Sequence, residues 1–131
     1  MRSTDFSDVF KVATAGMRAQ GERLRVIAEN IANANSTGTS PGAEPYRRRQ
    51  IQFKEVLDNA SGLSTVRVSA VTGDTTPFTR EFDPKHPAAN AEGYVLMPNV
   101  KPLIESIDMK EAQRSYEANL SVIDTIKNML A

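Results

Sequence analysis

Apolar and small side chains recur along the first third of the chain at Phe6, Phe10, Ala13, Met17, Leu24, Ile27, Ile31 and Ala34, with Gln20 as the polar step among them. The steps alternate between four and three residues, the heptad period of a helix that presents one narrow stripe to a partner. No proline falls in positions 5–33, and the only glycines there are Gly16 and Gly21. One long helix is therefore predicted, on the order of 40 Å at about 1.5 Å per residue. It ends where Asn33-Ala34-Asn35-Ser36-Thr37-Gly38 runs on to Ser40-Pro41-Gly42, a stretch of helix enders and turn formers.

The last third repeats the pattern. Met109, Ala112, Tyr116, Asn119, Ile123, Ile126 and Leu130 keep the same spacing, and neither Gly nor Pro interrupts positions 103–131. Pro102 suits the first turn of that helix. Ile104 and Ile107 lie one position out of frame, so the stripe shifts near Asp108. Between the helices, Tyr46–Phe53, Ser64–Val71, Phe78–Phe82 and Gly93–Met97 read as short strands. Pro84 and Pro87 exclude a central strand from the stretch between the last two. Large apolar residues are few here, enough for a small sheet or a pair of hairpins.

The expected fold class is α+β, with long N- and C-terminal helices paired as a coiled coil and a small β region inserted at their far end. The expected division is a helical coiled-coil domain from residues 1–35 and 101–131, a linker loop at 36–45 and a β-rich region at 46–100. Val9, Val26, Ala28, Leu120 and Val122 flank the stripes and widen them beyond a two-helix seam. Two solutions satisfy that width: further helices from other chains, or a monomeric helical hairpin packed on its own sheet.

Charge narrows the function. Lys plus Arg equals Asp plus Glu, 16 each, which argues against a general nucleic-acid binder. It also leaves little charge repulsion to oppose self-association. There is no cysteine, so no disulfide, thiol nucleophile or thiolate metal site can form. No stretch approaches the roughly 20 apolar residues of a membrane span. The opening Met1-Arg2-Ser3-Thr4-Asp5-Phe6 alternates polar and apolar positions, so a cleaved secretory signal is not expected.

Candidate chemistry is sparse. His86 is the sole histidine and stands between Pro84 and Pro87, without an acid or serine partner at motif spacing. Glu81 and Asp83 could serve acid–base work on a glycan, but two acids two apart on a strand-like segment are common by chance. No phosphate-cradling glycine loop and no zinc-ligand spacing is present. No catalytic residue, metal or cofactor is expected. The basic run Tyr46-Arg47-Arg48-Arg49 reads as a solvated strand face, or as a source of ion pairs between subunits, more than as a phosphate site. Asn30, beside Ile31, is placed to hydrogen-bond across the helices. Asn33 and Asn35 suit capping and turn formation, and Asn119 on the second seam can fix register.

Four segments are more specific. Asn30-Ile31-Ala32-Asn33 closing the first helix resembles the "N-[IL]-A-N" signature of bacterial flagellar rod and hook proteins. Pro45-Tyr46-Arg47 is similar to the family's "G-x-P-Y-R" stretch. Pro84, Pro87 and Ala89, followed by Gly93-Tyr94-Val95 and Pro98-Asn99-Val100, resemble a region of its short proximal-rod members. Ala112-Gln113-Arg114-Ser115-Tyr116-Glu117-Ala118-Asn119 is much like "A-x-R-S-Y-x-A-N". The motifs occur in order over almost the whole chain.

The resemblance implies a structural subunit of the proximal rod of the flagellar basal body. Its terminal helices would form an axial tube, with the β region outside it. It implies partners among other rod subunits and copies of the chain itself, the inner-membrane ring and export apparatus, and the rod cap, with peptidoglycan nearby. It implies a periplasmic location reached by type III export without a cleaved signal. The implied subunit-interface residues, seams and motifs together, are Phe10, Met17, Leu24, Ile27, Asn30, Ile31, Asn33, Tyr46, Arg47, Tyr94, Pro98, Asn99, Tyr116, Asn119, Ile123 and Ile126. The rival readings are another rod- or hook-type axial component, a peptidoglycan-acting enzyme using Glu81 or Asp83, and a dimeric coiled-coil adaptor.

Overall fold

The structure is a computed structural model that describes the backbone of residues 3–131 and the side chains from Phe6 onward. The opening residues, on which the expectation about a leader rests, lie partly outside the described residues. The chain is α+β, in the order α1 (Ser3–Ala32), β1 (Arg49–Asp58), β2 (Leu63–Gly73), β3 (Thr79–Phe82), β4 (Tyr94–Met97) and α2 (Pro102–Leu130).

The two helices pack against each other in opposite directions. Gly16 faces Asn119, Gly21 faces Tyr116, and Arg23 reaches Glu111 at 3.7 Å. Small residues permit this approach. A β-carbon on Gly16 would stand 3.0 Å from the Asn119 amide nitrogen, and Ala112 is 0% exposed. Ala13, Ala19, Val26 and Ile27 of α1 and Ala112, Ile123 and Ile126 of α2 are buried. Removing such surface from water contributes about 25 cal/mol per Å², so burial of these residues stabilises the helical pair.

α1 ends as its asparagines dictate. The Asn33 backbone N–H and side-chain amide both donate to the Glu29 carbonyl, at 3.0 and 2.9 Å. Ser36 Oγ donates to Asn33 Oδ1 at 2.9 Å, so otherwise orphaned groups at the helix end find partners. α2 starts on an extended Lys101 with Pro102 in its first turn, where the missing N–H costs nothing.

β1 and β2 form an antiparallel hairpin with Arg49 opposite Gly73 and Asp58 opposite Leu63, and a bulge between Gln52 and Phe53. The tip turns through Gly62 at φ +71°, a left-handed conformation glycine adopts without steric cost. The hairpin does not stand at the far end of the helices, as expected from sequence. It folds back along α1, where Val56, Leu63 and Val68 share a groove with Phe10, Ala15 and Ala19. Antiparallel helices leave the linker at the end of α1, and a long hairpin can bury its apolar face only by returning over that helix. β3 and β4 form a second antiparallel pair, with Phe82 opposite Tyr94. Their rings meet edge to face at 5.3 Å, a favoured aromatic geometry. The chain therefore closes its helical seam on itself, the second of the two solutions open from sequence, while apolar residues on the outer faces stay uncovered.

Candidate functional site

The elements converge where α1 ends, β1 begins and α2 starts. Asn30, 1% exposed, sits at the centre. Its Oδ1 accepts from the Arg49 N–H at 2.9 Å and from the Tyr46 hydroxyl at 2.7 Å. Its Nδ2 donates to the Arg49 carbonyl at 2.8 Å. Asn30 thus binds Tyr46 and the start of β1 and not the second helix, which corrects the cross-helix hydrogen bond expected from its place near the seam. A buried amide needs three or four partners, and the extended backbone at Arg49 offers a donor and an acceptor together. Burial pushes the Tyr46 phenol above its ordinary pKa.

Arg48 is the second centre. Its Nε donates to Glu105, its Nη1 donates to Asp74 Oδ2 at 3.1 Å, and its backbone N–H donates to Asn99 Oδ1 at 2.7 Å. Asn99 Nδ2 in turn donates to the carbonyls of Asp74 and Thr76, each at 3.0 Å. Burial works against the Arg48 charge, yet the Glu105 and Asp74 carboxylates hold it above the usual arginine range. The Thr76 backbone N–H donating to Asp74, helped by the Thr76 hydroxyl and Arg48, holds that carboxyl below the usual carboxylate range against the opposing effect of burial.

Arg47 donates to the Asp74 carbonyl at 2.7 Å and lies 4.3 Å above the centre of the Phe78 ring. Arg49 pairs with Glu29 at 3.2 Å. Arg47 and Arg48 are thereby engaged within the chain, which corrects the solvated strand face for those two, while Arg49 stays exposed. Three arginines here tie β1 to α1, to the turn after β2 and to α2. Arginine suits this work because its planar fork serves several acceptors at once.

The other residues implied by the resemblance divide by exposure. Ile27, Pro98, Ile123 and Ile126 are buried within the chain. Met17, Leu24, Ile31, Asn33, Tyr116 and Asn119 are half-buried along the helices, while Phe10 and Tyr94 are exposed. Asn119 donates to the Ser115 carbonyl of its own helix at 3.0 Å and packs on Gly16. Three features were not legible beforehand. Leu103, Ile104 and Ile107 form an exposed apolar patch on the first turns of α2, with Leu103 75% exposed; their place outside the heptad frame was the one available signal. Met129 and Leu130 are open at the other end. Glu105, 1% exposed, and Asp74 carried no sequence signal as partners of Arg48.

His86 is a loop residue, as read from sequence. Its Nδ1 accepts from the Ala88 N–H at 3.0 Å, and its Nε2 meets Thr37 Oγ1 at 3.3 Å. Glu81 and Asp83 are exposed. Among the described residues, no acidic or histidine cluster has the make-up of a metal site, and no helix is long and apolar enough to cross a membrane.

These features can be set against known proteins. Residues 10–38 match the family model described as "Flagella basal body rod protein", and residues 91–131 match "Flagellar basal body rod FlgEFG protein C-terminal". The two matches cover most of α1 with its asparagine terminus, and β4 with α2. The flagellar basal-body rod protein FlgC of Agrobacterium fabrum is 50% identical over 121 residues, spanning 92% of this chain and 87% of its own length. Its counterpart in Salmonella typhimurium is 40% identical over 125 residues, spanning 94% and 91%. That of Yersinia enterocolitica is 38% identical over 123 residues, with the same shares. Identity of this depth along nearly the whole of both chains, taken with the Asn30 junction and the paired terminal helices, means that this chain belongs to the flagellar basal-body rod proteins, in their FlgC group.

Proposed function

We propose that the chain is a structural, non-catalytic subunit of the proximal part of the flagellar rod. Its two helices would join copies of itself and other rod subunits by coiled-coil packing around the axis. The observation that carries this reading is the set of apolar side chains left open on both helices: Val9, Phe10 and Val12 on α1, and Leu103, Ile107, Leu120, Val122 and Met129 on α2. Covering one such side chain fully contributes about 1.5–3 kcal/mol. A neutral chain adds no charge repulsion to oppose that association.

Of the interface residues implied by the resemblance, Phe10, Met17, Leu24, Ile31 and Tyr116 keep surface free for a neighbour. Ile27, Ile123 and Ile126 act indirectly, by holding the two helices in the arrangement that offers the surface. The same reading places the inner-membrane ring, the export apparatus and the rod cap next to the assembly, and peptidoglycan around it. It also carries passage to the periplasm by type III export without a cleaved signal.

Val122→Asp and Met129→Asp test it. Both positions are exposed in the free chain, so urea unfolding should change by less than about 1 kcal/mol, while rod assembly and swimming are lost. Normal swimming in both variants would overturn the reading.

A further inference from the structure

Apolar surface lies open at both ends of α2, in two different forms. At its start, Leu103, Ile104 and Ile107 project most of their surface into solvent. At its end, Val122, Ile126 and Met129 meet Phe6 and Val9 of α1 around an open cleft of about 340 Å³. Ser121 and Thr125 are its only polar lining residues, and neither is charged. A cavity of roughly 150 Å³ holds a benzene ring, so this cleft has room for aliphatic side chains of the kind found at the other end.

The two patches are in register. Leu103, Ile104 and Ile107 precede Ser121, Val122 and Thr125 by eighteen positions each. Eighteen residues make five full turns, so both patches lie on one face of α2, about 27 Å apart. Between them the same face carries Lys110, Glu111, Arg114 and Glu117, all exposed.

That order, apolar then charged then apolar, restricts how a second copy can cover the face. Two antiparallel copies would bring each patch onto the other's cleft, but Arg114 would face its own counterpart and Glu111 would face Glu117. Two parallel copies set level would oppose Lys110, Arg114 and Glu117 each to itself. Like charges set against each other cost free energy. A parallel copy advanced by five turns escapes both conflicts. Residues 103–112 of one α2 then overlap 121–130 of the other, and the projecting patch enters the cleft. Lys110 and Glu111 come level with Asn128 and Met129, which carry no charge.

We infer that copies of this chain join head to tail through α2, parallel and advanced by about 27 Å, with Leu103, Ile104 and Ile107 of one copy filling the cleft beside Val122 and Met129 of the next. The contact is heterologous: each joined pair keeps one free patch and one free cleft, so the series stays open and can grow. The inference rests on the assembly reading above and specifies direction and register within it.

The chain has no cysteine, so introduced pairs report the contact directly. Ile107→Cys and Thr125→Cys are combined in the full-length chain, and isolated basal bodies and the concentrated purified protein are both oxidised. Within one molecule the two positions are far beyond the roughly 7 Å over which two α-carbons can be bridged, so any disulfide joins two molecules. A band of twice the subunit mass, with higher multiples, is expected on a non-reducing gel, while each single variant stays monomeric. Leu103→Cys with Ser121→Cys has the same register, should give the same ladder, and serves if the first pair does not assemble. Ile107→Cys with Ser121→Cys reports the antiparallel arrangement and should cross-link about tenfold less. Stronger cross-linking in that pair, or a dimer from either single variant, would overturn the inference. So would the absence of cross-linking from both in-register pairs, in basal bodies and concentrated protein alike. Cells that still swim in that case would keep the assembly reading and lose only this contact.

Discussion

The helical pair and the β1–β2 hairpin are held in place by different physics. The helices carry most of the buried apolar residues, Ala13, Ala19, Val26 and Ile27 on α1 and Ala112, Ile123 and Ile126 on α2, and the close approach at Gly16 and Gly21 fixes their relation. The hairpin, from Arg49 to Gly73, contains no fully buried residue. It is anchored at its base, where Asn30 grips Arg49 and where Arg48 and Asn99 grip the turn after β2. Full burial therefore specifies one region, whereas hydrogen bonding at the base joins partial burial along α1 in specifying the other. The seam depends on side-chain volume and the hairpin base on donor–acceptor matching, so the two should respond differently to substitution.

The largest effect is expected at the junction. Asn30→Ala orphans the Arg49 N–H and carbonyl and the Tyr46 hydroxyl, and should cost about 3–5 kcal/mol in urea unfolding. If the loss were under 1 kcal/mol, the base would not be the anchor. Next comes the seam: Ile123→Ala should cost about 2–4 kcal/mol through lost burial and the cavity left behind. Hydrogen exchange in that variant should rise along both helices before it rises at the Asn30 network. Uniform loss of protection would mean that the two regions are one cooperative unit.

A smaller, pH-dependent effect belongs to Asp74. Its folded pKa lies below the unfolded value, so its contribution is present above the ordinary carboxylate range near pH 4 and is lost as pH falls through the depressed folded value. Asp74→Asn should flatten the acid limb of the stability curve. An unchanged limb would show that the Thr76 and Arg48 contacts do not favour the ionised form. The smallest effect is expected on the hairpin surface, where Leu57→Ser should move stability by no more than about 0.5 kcal/mol. A loss above 1 kcal/mol would show that the hairpin's apolar face holds the fold.

What the sequence revealed follows the same division. The helices were legible because a four–three spacing has one good geometric solution, and both helix ends lie close to where asparagine or proline put them. Strand β1 was read too short, since Lys54, Glu55 and Asp58 disrupt the alternation. The hairpin is long and half-exposed, so little apolar pattern marks its outer half. The site divided too. Asn33 behaves as a capping residue because capping is local. Asn30 was assigned the wrong partner because its backbone contacts lie 19 positions away at the start of β1. The Arg48–Glu105 pair spans 57 positions, and two charges so far apart leave no mark in a linear pattern. Whether other chains cover the stripe also could not be read from spacing, because a helix and its neighbour present the same periodicity whether or not they share a backbone.

The antiparallel seam has a consequence for when the molecule can form. Gly16 meets Asn119, so the first helix pairs with a segment far along the chain. The entropic cost of closing a loop grows only slowly with its length, but contacts this distant along the chain slow the search for the native state. Until α2 has left the ribosome, the stripe of α1 has no mate in its own molecule. The nascent polypeptide thus carries an uncovered amphipathic segment until then, open to capture by any chaperone that recognises one.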